Sequence, residues 1–159
     1  MLSITLVKEL HIPSFSQYKS LQAASYAEVN NLNTTDVAKI ATKIAMLPKE
    51  NGSRSRLVII TQGSDPVIAV EHGKVKTYPV TPLEKSEIVD TNGAGDAFVG
   101  GFLAQWILGN VGLNLTRFMM FTKFIFQSLD TAVACGIWAA THCIKRSGCT
   151  MPDVCDFKP

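Results

Sequence analysis

The chain has 159 residues, 47% of them hydrophobic, which suits a single globular domain. Fifteen Lys and Arg against 13 Asp and Glu leave a formal net charge of +2, too little to recruit nucleic acid or an anionic membrane surface. The four cysteines, Cys135, Cys143, Cys149 and Cys155, fall late in the chain without a C-x-x-C pair. Even with His142 they match no zinc spacing, so they read as reduced thiols of an intracellular protein.

In chain order, Met1 to Val7 is briefly apolar but has no basic lead-in and meets Lys8 and Glu9, unlike a secretion signal. Residues 1 to about 20 show no clean period. From Gln22 the composition turns helical. Asn33-Thr34-Thr35-Asp36 then offers N-cap side chains ahead of Val37, Ile40, Ala41, Ile44, Ala45 and Leu47, which recur on one helical face until Pro48. Lys49 to Ser55 reads as a polar surface turn. Leu57-Val58-Ile59-Ile60 is continuous and β-branched, as a strand buried on both faces should be. Thr61-Gln62-Gly63 forms the turn at its carboxyl end, the place where open α/β sheets bind ligands. Val67–Val70 and Lys74–Val80 flank Glu71-His72-Gly73 as a hairpin, with His72 a solvated tip residue.

Glu87-Ile88-Val89-Asp90 reads as a strand that gives way to Thr91-Asn92-Gly93-Ala94-Gly95-Asp96 and then to a helix from about Ala94 to Ile107. Gly93 and Gly95 leave the backbone open to an anion. The N–H groups of Ala94, Gly95 and Asp96 fall in the first helical turn, where they lack intrahelical partners and carry the positive end of the helix dipole. That arrangement suits a phosphate. Asp96 adds a carboxylate that an anion site does not need, and its evident task is taking a proton from an attacking hydroxyl. Phosphoryl transfer asks little else of a protein beyond positioning and charge stabilisation. A last helix, from about Asp130 to Lys145, sets Ala132, Ala139, Ala140 and Cys143 on small-residue faces and stops at Gly148.

The run Asp90-Thr91-Asn92-Gly93-Ala94-Gly95-Asp96-Ala97-Phe98-Val99-Gly100-Gly101-Phe102 closely resembles the C-terminal signature of the ribokinase-like carbohydrate and nucleoside kinases, in the form carried by their adenosine-phosphorylating branch. The Leu-Pro-Lys link, Thr61-Gln62-Gly63 and the closing Arg146-Ser147-Gly148-Cys149-Thr150-Met151-Pro152 extend the resemblance over residues 22–109 and about 127–156. It implies an α/β fold, the C-terminal part of a three-layer α/β/α sandwich, with residues 1–159 forming a single partial kinase domain. It further implies an anion hole at Gly93, Ala94 and Gly95, a catalytic base at Asp96, and nucleotide-bordering positions at Gln62, Gly63, Thr91 and Asn92. ATP and Mg²⁺ would serve as cofactors and adenosine as the small-molecule substrate, giving AMP for purine salvage. The family expectation is a monomer of the cytoplasm, and also of the nucleus, with no membrane span and no nucleic-acid partner.

Three departures accompany the resemblance. The family's N-terminal strands and sugar-holding glycine segments have no counterpart, and residues 1–21 are unfamiliar. The family's Mg²⁺-organising Asn-x-x-Glu motif falls on Lys19-Ser20-Leu21-Gln22, where a cation and an amide replace the Asn and the Glu. Residues 110–126 form an apolar, aromatic insert that reads as an intron retained in frame or a mistaken gene model. Ala97 to Thr116 is free of charge and long enough to span a bilayer, but its glycines, asparagines and Gln105 point to burial against protein or at a membrane surface. The expectation from sequence is therefore an adenosine-phosphorylating kinase. The alternatives are a catalytically silent relative that at most binds nucleotide, and a ribokinase-type sugar kinase.

Overall fold

The computed structural model describes residues 15–48, 56–111 and 128–158. The expected turn at 49–55 and nearly all of the insert lie outside them. The chain divides into two compact units, Met1–Thr81 and Pro82–Pro159.

The first unit is a four-stranded sheet with two helices. Strand β1 is Phe15–Lys19, β2 Leu57–Gln62, β3 Asp65–Glu71 and β4 Lys74–Tyr78, in the spatial order β1-β2-β3-β4. Strand β1 pairs parallel with β2, from Phe15 opposite Leu57 to Lys19 opposite Thr61. The β2–β3 and β3–β4 pairs are antiparallel. The continuous apolar run of β2 therefore marks a central strand of a mixed sheet. Leu57, Val58, Ile59 and Ile60 are all buried, so both of its faces are covered. The β3–β4 hairpin turns at His72 and Gly73 with φ of 49° and 72°. Two consecutive left-handed residues match the right-handed strand twist, as in a type I′ turn.

Helix α1, Ser20–Val29, follows β1 directly, and α2 is Val37–Ala45. Of the N-cap candidates, Asp36 takes the role, accepting from Ala38 N at 3.0 Å and Lys39 N at 3.2 Å. Those bonds satisfy amides that have no intrahelical partner. Ile40, Ala41 and Ile44 bury the predicted stripe against Val58, Ile60, Ile68 and Val70, joined by Ala23 and Ala27 of α1. Fully burying one such aliphatic side chain stabilises by about 1.5–3 kcal/mol. At the other end, Arg56 Nη1 donates to Ile44 O at 2.7 Å and to Leu47 O at 3.3 Å, and Nη2 donates to Pro48 O at 3.3 Å. The guanidinium thus closes the carbonyl end of α2.

The second unit pairs helix α3, Ala94–Val111, with α4, Leu129–Ile144. Phe98, Phe102 and Trp106 recur one turn apart on α3 and stack in sequence, with centroids 6.4 and 5.6 Å apart. Room for them comes from small residues: a Cβ on Gly136 would come within 2.9 Å of the Phe98 ring. A Cβ on Gly101 would meet Cys135 O at 2.7 Å and Ala139 Cβ at 2.9 Å. Ser128 caps α4, its hydroxyl accepting from Thr131 N at 3.3 Å. Among the described residues no helix is long and apolar enough to cross a membrane.

The strand expected at Glu87–Asp90 does not form. Lys85–Glu87 is a single 3-10 turn closed by reciprocal bonds between Glu84 and Glu87. The amides of Val89 and Asp90, which a ladder would need, both donate to Ile144 O at the end of α4, at 3.0 and 3.1 Å. Val89 is left 59% exposed, unlike a sheet residue.

Candidate active site

The site is assembled by the junction that leads into α3. Asp90 Oδ1 accepts from Asn92 N at 2.9 Å, folding the chain back on itself through an Asx turn. Gly93 follows with φ 74°, a left-handed conformation that costs a side-chain-bearing residue energy. Its carbonyl accepts from Ala97 N at 2.8 Å, the first bond of α3. Gly93 is thereby the cap, and Ala94, Gly95 and Asp96 occupy the first turn with amides that have no carbonyl of their own helix to bind. Gly93 also has no room for a Cβ, which would run into Cys149 Sγ.

Beside this turn lies a cavity of about 520 Å³. The cap and first turns of α3 supply one wall through Gly93, Asp96, Ala97 and Gly100, α4 and the segment beyond it supply the other through Trp138 and Met151 among others, and Cys149 lies where they meet, against Gly93. Asp96 is exposed to solvent, so its carboxylate is accessible from the cavity. Gln105 also lines the cavity, and its Oε1 is buried with no hydrogen-bond partner among the described residues. The far wall is held by a tie the sequence did not announce: Trp138 Nε1 donates to Asp156 Oδ1 at 3.0 Å, and the Trp138 ring tilts against Phe157 at 6.1 Å. A pairing of residues 18 apart carries no local pattern.

The structure therefore brings Thr91, Asn92, Gly93, Ala94, Gly95 and Asp96 into one turn beside one cavity. Gln62 and Gly63 belong to the first unit, at the β2–β3 turn, where Gln62 Nε2 donates to Pro66 O at 2.6 Å and Gly63 has φ 68°. Lys19 and Gln22 lie there too, at the end of β1 and in the first turn of α1. Mg²⁺ demands several oxygen donors in near-octahedral array. Among the described residues no group of three or more His, Cys, Asp or Glu could hold a metal. Asp90 already spends one carboxylate oxygen on the Asn92 amide. Mg²⁺ at such a site would lean on nucleotide phosphates and water, with at most one or two protein carboxylates.

A cleft of about 500 Å³ in the first unit is lined by Thr34, Lys39, Lys43 and Val75, among others. It has cations but no carboxylate among its lining residues, and the first-turn amides of Ala38 and Lys39 there are already taken by Asp36, so it offers charge without a base.

Comparison with known proteins places this geometry in context. The family of pfkB carbohydrate kinases matches residues 19–154. Adenosine kinase 1 of Arabidopsis thaliana is 44% identical over 136 residues, covering 86% of this chain and 35% of the relative. Among solved structures, Anopheles gambiae adenosine kinase, in complex with P1,P4-di(adenosine-5) tetraphosphate, is similar with a TM-score of 0.71 and 42% identity. The match covers 89% of this chain and 38% of that one. Schistosoma mansoni adenosine kinase is similar at 31% identity in its complex with 2-fluoroadenosine, with a TM-score of 0.73 and coverage of 88% and 37%. Its complex with adenosine and AMP gives a TM-score of 0.68, 31% identity and coverage of 88% and 36%. The chain spans about a third of the length of the curated relatives it matches. The fold is the α/β fold of the ribokinase-like kinases, and the chain belongs to the pfkB carbohydrate kinase family.

Proposed function

We propose that the chain carries the phosphoryl-transfer part of an adenosine kinase, which moves the γ-phosphoryl of ATP to the 5′-hydroxyl of adenosine and yields AMP and ADP. The observation that carries this reading is Asp96, an exposed carboxylate in the first turn of α3, directly after the backbone opened by Gly93 and Gly95. Asp96 takes the proton of the 5′-hydroxyl as its oxygen bonds to the γ-phosphorus. The bond from that phosphorus to the β,γ-bridging oxygen breaks, and ADP leaves. Amides of Gly93, Ala94, Gly95 and Asp96 hold the charge that develops on the transferred group. Thr91 and Asn92 shape the loop, and Gln62 and Gly63 border the nucleotide. Adenosine as substrate is supported by the names and ligands of the similar proteins. Work as a cytoplasmic and nuclear monomer in purine salvage, with the whole chain as one partial domain, follows from the family resemblance. Mg²⁺ would bind chiefly through the ATP phosphates and water.

The second reading is a catalytically silent relative that binds nucleotide. Lys19 and Gln22 at the Asn-x-x-Glu place favour it. One assay separates the two: ATP-dependent phosphorylation of adenosine, with ribose in parallel, by the chain and by Asp96→Asn, each with a thermal melt. The kinase reading expects turnover of adenosine that falls about a hundred- to ten-thousand-fold in Asp96→Asn without a change in melt. A cooperative melt with ATP binding and no turnover establishes the silent relative. Turnover of ribose in preference to adenosine overturns the nucleoside assignment.

A further inference from the structure

The loop that opens the site is held from behind by two thiols. Cys149 Sγ donates to Asn92 O at 3.1 Å, and Cys143 Sγ lies 3.7 Å from the same oxygen. Both thiols therefore converge on one carbonyl oxygen, which brings the two sulfurs to the same side of the Asn92–Gly93 turn. Cys143 is buried on the last turn of α4, while Cys149 is exposed on the turn beyond it, at φ 56°. Consecutive left-handed residues, Gly148 at 77° and then Cys149, turn the chain so that its thiol reaches back to the Cys143 side. The contact with Gly93 is so close that no Cβ fits between. All four cysteines are unpaired thiols.

We propose that Cys143 and Cys149 are a reversible thiol–disulfide pair, oxidised by a hydroperoxide, whose state sets the conformation of the Asn92–Gly93 turn. The exposed Cys149 reacts first, since burial, followed by the neighbouring Cys149 sulfur, raises Cys143 and keeps it protonated. The Cys149 thiolate attacks the terminal peroxide oxygen. The O–O bond breaks, the alcohol or water leaves, and Cys149 becomes a sulfenic acid. Cys143 then gives up its proton and attacks that sulfur; the S–O bond breaks, water leaves, and an S–S bond of about 2.05 Å forms. Two thiols are oxidised by two electrons and the peroxide O–O bond is reduced by the same two. Cross-linking removes both S–H donors from Asn92 O and draws the Cys149 sulfur away from its seat against Gly93. The turn loses its fixed geometry, and a dithiol reductant restores it. The cross-link stands apart from any activity; its consequence for phosphoryl transfer rests on the kinase reading.

The test uses the full reduced chain, titrated with hydrogen peroxide, alkylated and mapped as peptides without reduction. The expected product is a Cys143–Cys149 linkage, reversed by dithiothreitol. Backbone hydrogen exchange over residues 90–98 should rise roughly three- to tenfold on oxidation, the loss of one modest hydrogen bond, and return on reduction. Cys143→Ser should leave Cys149 as a dimedone-trapped sulfenic acid, with no linkage to any other cysteine. A Cys149–Cys155 linkage, independent alkylation of both thiols after peroxide, or a Cys143–Cys149 linkage with unchanged exchange would overturn the proposal. ATP binding by the reduced chain is measured beside these. Its absence would sink the kinase reading while the peptide map and exchange still decide the thiol pair.

Discussion

The sheet unit and the helix-pair unit bury their apolar residues by different means. In the first, aliphatic side chains from α1, α2, β2 and β3 meet in one cluster, with Ile40, Ile44, Val58, Ile60 and Val70 each 1% exposed or less. Many moderate contacts share the load, and the polar ends of α2 are closed by Asp36 and Arg56. In the second, Phe98 fills the space that Gly136 leaves, Gly101 lets α3 close on Cys135 and Ala139 of α4, and Phe102 is fully buried one turn along from Phe98. Ala132, Val133, Cys135, Gly136, Ala139 and Cys143 of α4 are buried beside them, and α3 also carries Asp96. The candidate chemistry therefore stands on a helix pair whose close approach depends on glycine and other small residues.

Phe102→Ala tests that contrast with the largest expected effect. Phe102 is fully buried, and its loss leaves a cavity between helices that already approach closely, costing about 3–5 kcal/mol. Urea unfolding followed by Trp138 fluorescence measures it. A cost below about 1 kcal/mol would mean that the aromatic stack is not what holds the helix pair.

Gly101→Ala comes next. The added methyl would press on Cys135 O and Ala139 Cβ, and such overpacking costs about 1–3 kcal/mol. The same change at the solvent-exposed Gly100, whose Cβ would meet nothing, should be neutral or slightly stabilising. Equal effects at the two neighbours would refute the close-packing account. Ser128→Ala, which removes the cap of α4, should cost about 1 kcal/mol. Hydrogen exchange at the first turn of α4 would register it before a melt did.

The same two units show what a sequence can disclose. The α2 stripe was legible because a period of 3.6 survives intact in residues 37–47, and the β3–β4 hairpin because Glu71-His72-Gly73 marks a turn between two strand-like runs. Strand β1 was not, since Phe15–Lys19 mixes polar and apolar residues and its partner β2 begins some forty residues later. Glu87–Asp90 misled because β-branched Ile88 and Val89 favour a strand locally, while Ile144 O, far along the chain, claims the amides a ladder would use. At the candidate site, the turn that gathers Gly93, Ala94, Gly95 and Asp96 was legible because it is one short stretch of backbone. The thiols behind it were not. Cys149 reaches Asn92 across 57 residues, and only its place after Gly148 hinted at a turned-back chain.

The smallest prediction separates two exposed carboxylates, one in each unit. Asp36 is held below its ordinary 3.8, chiefly by the Lys39 backbone amide, with burial working against the shift. Glu87 is held below its ordinary 4.5, first by the Lys145 ammonium at 2.9 Å and then by the Glu84 amide. A carboxylate depressed in the folded state lends stability that is present above its ordinary value and fades as pH falls through the folded one. Both contributions should therefore vanish in acid, Glu87's beginning just below pH 4.5 and Asp36's just below pH 3.8. Salt divides them. At 1 M the Debye length is about 3 Å, so the exposed Glu87–Lys145 pair is screened, whereas the short amide bonds of the Asp36 cap persist. Acid titrations of stability for Glu87→Gln and Asp36→Asn, at low and high salt, measure this. Glu87→Gln should flatten the acid limb at low salt and scarcely alter it at 1 M, while Asp36→Asn should flatten it in both. If salt erased both differences equally, the distinction between a cap held by backbone amides and a tie held by a side-chain ion pair would fall.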